Sequence, residues 1–126
     1  MTSDRGRAAP RAEHLATLNG PGRVVVKIGS AVLTDDHGRL DPKVLRRLAA
    51  EIAPLAGAGA PAKRWPFVVS SGAIAIGMAV LGLAQRPRTM AGLQSAAAVG
   101  QSKLVEAWSQ AFRRYEIPVA QILLTH

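Results

Sequence analysis

At 126 residues the chain is long enough for one modest domain with a real core. Its 48% hydrophobic and 19% charged residues make a globular composition, the absence of cysteine excludes a disulfide framework or thiolate metal site, and three scattered histidines (His14, His37, His126) give no zinc spacing. The formal net charge of +8 suits an anionic ligand, but the basic residues fall in ones and twos, and two Trp, one Tyr and two Phe make no stacking platform, so a nucleic-acid footprint is not expected.

Residues 1–22 hold Arg5, Arg7 and Arg11 beside Asp4 and Glu13 with no apolar core, and read as a disordered leader rather than a targeting signal. A β-branched run predicts a first strand over about 23–28, which breaks at Lys27-Ile28-Gly29-Ser30 before a short apolar Ala31-Val32-Leu33. Thr34-Asp35-Asp36-His37-Gly38 is a turn by composition. Asp41-Pro42 then opens a helix, with Asp as N-cap and Pro at the first helical position. Leu45, Leu48, Ile52 and Leu55 give that helix one apolar stripe, and Gly57-Ala58-Gly59-Ala60-Pro61 ends it.

A second strand follows over 65–69, shortened by Pro66, which denies one ladder bond. Ser70-Ser71-Gly72 opens a helix to about Leu81, and 82–87 is loop. A long helical region over about 89–115 is expected to break at Gly100, its second half packing through Trp108, Ala111, Phe112 and Tyr115. After Pro118 a third strand is expected over 119–124. No apolar stretch reaches the roughly 20 residues a membrane span needs, and a soluble cytoplasmic protein is the expectation. The order is that of an α/β fold with an open, mainly parallel sheet and helices on both faces, incomplete at its C-terminal end.

The two strand-to-loop junctions hold the chemistry, because ligands of open α/β sheets bind beyond the carboxyl ends of the strands, against free backbone N–H groups. On pattern alone Lys27 reads as a snorkelling edge residue. Gly29 and Ser30 change that reading, since a Lys just ahead of a Gly-Ser turn can aim its ammonium at an anion whose oxygens meet the turn's amides. No Walker loop and no Gly-x-Gly-x-x-Gly occurs. At the second junction Ser70 and Ser71 alone read as helix N-caps. A nucleophilic serine lacks support, for there is no Gly-x-Ser-x-Gly and no histidine follows before His126. Binding remains, with hydroxyls and helix-terminal amides offered to a carboxylate or phosphate and Gly72 permitting close approach.

Three motifs then coincide. Val25-Val26-Lys27-Ile28-Gly29-Ser30-Ala31-Val32-Leu33-Thr34, Val69-Ser70-Ser71-Gly72-Ala73-Ile74-Ala75-Ile76-Gly77-Met78 and Ala97-Ala98-Val99-Gly100-Gln101-Ser102-Lys103-Leu104, with 119–125 beyond them, resemble in order the amino-terminal portion of the glutamate 5-kinase branch of the amino acid kinase family. The resemblance covers residues 23 to about 125, and assigns 23–126 to the N-terminal part of that kinase domain.

The resemblance implies transfer of the γ-phosphoryl of ATP to the side-chain carboxylate of glutamate, the first step of proline biosynthesis. By similarity Lys27 is catalytic and contacts the ATP phosphates, with Gly29 and Ser30 making the phosphate turn. Ser71, Gly72 and Ala73 contact glutamate, and Mg2+ is bound through the nucleotide phosphates with no protein ligand. ATP and L-glutamate are the implied partners, in a homo-oligomer away from membranes.

An Asp and an Asn of the family's glutamate site, and its nucleotide-base segments, lie beyond the last residues matched here. A truncated, inactive fragment is therefore the expectation. A non-catalytic interaction or decoy protein of the same fold stays open, as does, more weakly, a basic nucleic-acid-binding module. Steep salt dependence of binding is the mark of the latter.

Overall fold

The computed structural model describes residues 23–56 and 65–123. The expected leader over 1–22, the terminator at 57–61 and the last residue of the expected third strand lie outside the described residues.

Strand β1 (Val25–Ile28) and strand β2 (Phe67–Ser70) pair in parallel, with Val25 opposite Phe67 and Ile28 opposite Ser70. Pairing starts where the Phe67 N–H donates to the Val24 carbonyl at 2.9 Å, just past Pro66, which has no N–H to give. A two-residue period puts Val26, Ile28 and Val68 toward the core. Val25, Phe67 and Val69 are exposed on the opposite face, together with Lys27.

Between the strands lie the one-turn helix α1 (Ser30–Leu33), a tight hairpin bridged at Thr34 and Leu40, helix α2 (Pro42–Ile52) and a 3-10 turn over Ala53–Leu55. Asp41 caps α2 as expected, its carboxylate accepting the Lys43 N–H at 2.8 Å, with Pro42 at the first helical position. The apolar stripe of α2 buries Leu45, Ala49 and Ile52, and half-buries Leu48.

Helix α3 (Ala73–Val80) follows β2, and helix α4 (Met90–Arg113) runs back along it. Thr89 caps α4 by accepting the Gly92 N–H at 3.2 Å. The predicted packing face is present: Trp108, Ala111 and Phe112 are buried, and the Trp108 and Phe112 rings stack with centroids 5.7 Å apart. They meet Ile28, Leu33, Leu45 and Ile76 in one hydrophobic core on a single side of the sheet.

Two expectations are corrected. Gly100 does not break the long helix, which runs continuously from Met90 to Arg113. Gly100 is there for packing: a Cβ at that position would overlap the carbonyl oxygen of Ala73, and one at Gly77 would overlap that of Ala96, so α3 and α4 touch backbone to backbone. The expected third strand is not formed over 119–123, which joins no sheet among the described residues. The chain turns after α4 at Glu116, with φ of 55°, and Ile117 and Val119 fold back onto the helical core. Strand propensity describes fit to a pleated surface and does not supply a pairing edge. No helix of the described residues is long and apolar enough to cross a membrane.

Candidate functional site

Parallel pairing with Ile28 opposite Ser70 puts both strand ends side by side, so Lys27, Gly29 and Ser30 lie next to Ser71, Gly72 and Ala73. All six residues singled out from the sequence come to one end of the sheet. The Ser30 backbone N–H donates to the Ser71 Oγ at 3.2 Å, and the Ser71 N–H reaches the Ile28 carbonyl at 3.4 Å.

Neither serine caps α3. Its N-cap is Gly72, in the left-handed region at φ of 103°, with no side-chain cap bond. A side chain at Gly72 would be strained by that φ and would also bring its Cβ within 2.6 Å of Ser30 Cβ. The glycine lets the two junctions close on each other. Ser70 points the other way, with its Oγ buried and unpartnered among the described residues. The cap reading of the serines therefore gives way to a tie across the two loops.

Gly29 is different. Its backbone is extended (φ −74°, ψ 154°), a conformation open to any residue, and a Cβ built there meets nothing within 4 Å. Nothing in the described chain requires glycine at this place. Lys27 is exposed on the open sheet face and forms no ion pair among the described residues.

The groups gathered here are an ammonium, hydroxyls and the first amides of α3, a set that attracts anions. No cluster of His, Asp and Glu able to hold a metal ion occurs among the described residues.

Three further contributors are not among the six expected site residues. Thr34 Oγ1 donates to the Ser30 carbonyl at 3.0 Å, Gly38 packs against the backbone of Ala75, and Gly100 packs against Ala73. Gly100 carries a signal in the sequence, a glycine inside an otherwise helical pattern, but that signal does not distinguish a break from close packing.

The amino acid kinase family matches residues 22–126. The glutamate 5-kinases of Citrifermentans bemidjiense and of Geobacter sp. strain M21 are each 54% identical to this chain over 103 residues, which cover 82% of this chain and 26% of theirs. That of Azoarcus sp. strain BH72 is 51% identical over 104 residues, with 82% and 27% covered. The chain thus spans about a quarter of the length of the curated relatives it matches.

Proposed function

We propose that this chain, which belongs to the amino acid kinase family, forms the junction of a glutamate 5-kinase where the γ-phosphoryl of ATP passes to the side-chain carboxylate of glutamate. The observation that supports this most directly is the joining of the two loops through the Ser30 N–H and the Ser71 Oγ, 41 residues apart. An acyl phosphate forms when a carboxylate oxygen bonds to the γ-phosphorus and the bond to the β,γ-bridging oxygen breaks, releasing ADP. The acceptor is already ionised at neutral pH, so no general base is needed. What the protein must do is bring two anions together and offset their repulsion.

Lys27 supplies a positive charge at the strand end, free to pair with the transferring group. Gly29 offers backbone that phosphate oxygens can approach without meeting a Cβ, and Ser30 beside it adds its hydroxyl. Ser71, whose oxygen is occupied by the Ser30 N–H, keeps its own proton to donate to the glutamate carboxylate. Gly72 and Ala73 add amides at the start of α3, where the helix dipole favours negative charge. Mg2+, bound through the nucleotide phosphates, offsets their charge when present.

The test is a chimera in which residues 23–123 replace the matching segment of the Citrifermentans bemidjiense enzyme. With ATP, Mg2+ and glutamate it is expected to make an acyl phosphate that hydroxylamine traps. Lys27→Ala should lower its turnover by on the order of a hundredfold, as loss of a charge aimed at the transition state does. A folded chimera that makes no hydroxamate, or a Lys27→Ala variant within twofold of its parent, overturns the assignment.

A further inference from the structure

The tie between the two junctions has a support outside the site. The Ser30 carbonyl accepts two hydrogen bonds from Thr34, its backbone N–H at 3.1 Å and its Oγ1 at 3.0 Å. Thr34 is also one side of the antiparallel bridge to Leu40, and the Asp41 N–H closes the base on the Leu33 carbonyl at 2.9 Å. Leu33 is fully buried and Leu40 packs onto the core, so the base of the hairpin is anchored. At its tip, Gly38 (φ +72°) rests on α3: a Cβ there would stand 2.9 Å from the Ala75 carbonyl oxygen and 3.7 Å from Ala79 Cβ. One short hairpin therefore grips the phosphate turn at one end and the first turns of α3 at the other.

We infer that the Thr34–Leu40 hairpin is a brace that fixes the spacing between the Ser30 and Ser71 junctions, with Thr34 and Gly38 as its positioning residues. Neither residue lies at the reacting groups. Thr34 acts through the Ser30 backbone, whose N–H faces Ser71 while its C=O, on the other side of the Ser30 Cα, is held by the threonine. Gly38 acts through α3, because only a residue without a side chain and tolerant of positive φ lets the hairpin tip sit on the Ala75 peptide. If the brace loosens, the two amide-bearing turns drift apart while each remains locally folded.

The kinetic consequence rests on the function proposed above, but the structural one does not, and two measurements separate them. The first is residue-resolved amide hydrogen exchange on the 126-residue chain. Thr34→Val, which keeps the shape and removes the hydroxyl donor, should speed exchange of the Ser30 amide about tenfold, the size of one lost hydrogen bond. The Leu104 and Trp108 amides of α4 should be unchanged, and Thr34→Ser should restore protection. An unchanged Ser30 amide, or acceleration of all three together, overturns the brace.

The second uses the chimera. Thr34→Val and Gly38→Ala should each lower kcat about tenfold while the KM values for ATP and glutamate stay within threefold, because alignment is lost and binding is not. Thr34→Ser should recover the rate. A rise in KM at constant kcat overturns the positioning role. A chimera inactive before any brace mutation overturns the kinase reading alone, and the exchange result then decides the brace.

Discussion

The Ser71 hydroxyl oxygen accepts the backbone N–H of Ser30 at 3.2 Å, which joins two loops 41 residues apart in the chain. The bond gives Ser71 two duties, since its oxygen holds the first junction while its proton remains to be given to a ligand. Ser71→Ala in the chimera is therefore expected to weaken glutamate most. The lost bond to a charged group costs about 1.5 to 3 kcal/mol, a rise of roughly tenfold or more in the glutamate KM, with a smaller loss for ATP from the released Ser30 amide. Steady-state kinetics with each substrate varied in turn checks this. Equal losses for both substrates would remove Ser71 from the glutamate pocket and leave it as the tie alone.

Gly29 permits a cleaner separation of folding from binding. Its φ and ψ suit any residue and its Cβ direction is empty, so Gly29→Ala should change stability by no more than about 0.5 kcal/mol in urea denaturation. If phosphate oxygens occupy that space, the same methyl group stands between them and the turn. The apparent affinity for ATP should then fall about tenfold or more, as for a lost bond to a charged group. An alanine variant that binds ATP like its parent would show the space to be solvent.

Much of this arrangement was legible in the residues because it depends on local rules. Asp41-Pro42 specifies a helix start wherever it falls, and a valine run ending at Gly-Ser specifies a strand leaving its sheet. The six site residues could be placed because parallel strands bring their carboxyl ends to one edge. What failed was tertiary. Gly100 looks like a helix break until Ala73 is seen against it, and 119–123 has strand composition without a partner edge. Thr34 and Gly38 carried only turn chemistry in the sequence, since the groups they contact lie across the hairpin and on α3.

The hairpin should open on acidification. One oxygen of the Asp35 carboxylate accepts the backbone N–H groups of both His37 and Arg39 at 2.9 Å. The Arg39 N–H foremost holds this carboxyl below its ordinary range; desolvation opposes it, and the His37 N–H and the charges of both side chains add to the lowering. A depressed folded value means that the contribution is fully present above the unfolded value, about 3.9, and is lost as pH falls through the lower folded value. Amide exchange at His37 and Arg39, read relative to α4, should accelerate only below about pH 4. Asp35→Asn should be faster at neutral pH and lack that step. A wild-type chain with no step would show that the carboxylate's charge does not hold the turn.

Gly100→Ala sets two physical effects of opposite sign against each other. Helix propensity alone favours alanine by about 0.8 to 1 kcal/mol in a helix interior. Packing opposes it, because the new Cβ would overlap the Ala73 carbonyl oxygen and come within 2.6 Å of the Gly77 nitrogen. Both neighbours are backbone, so no rotamer change relieves the clash, and α3 must shift away from α4. Overpacking of this kind costs about 1 to 3 kcal/mol, which exceeds the propensity gain over most of its range. The expected result is a lower midpoint in urea for the 126-residue chain and, in the chimera, a raised glutamate KM, since Ala73 begins the helix whose amides face the site. An unchanged or higher midpoint would mean that α3 and α4 are not in backbone contact at Gly77 and Gly100, and that the start of α3 is held by the hairpin and Ser30 alone.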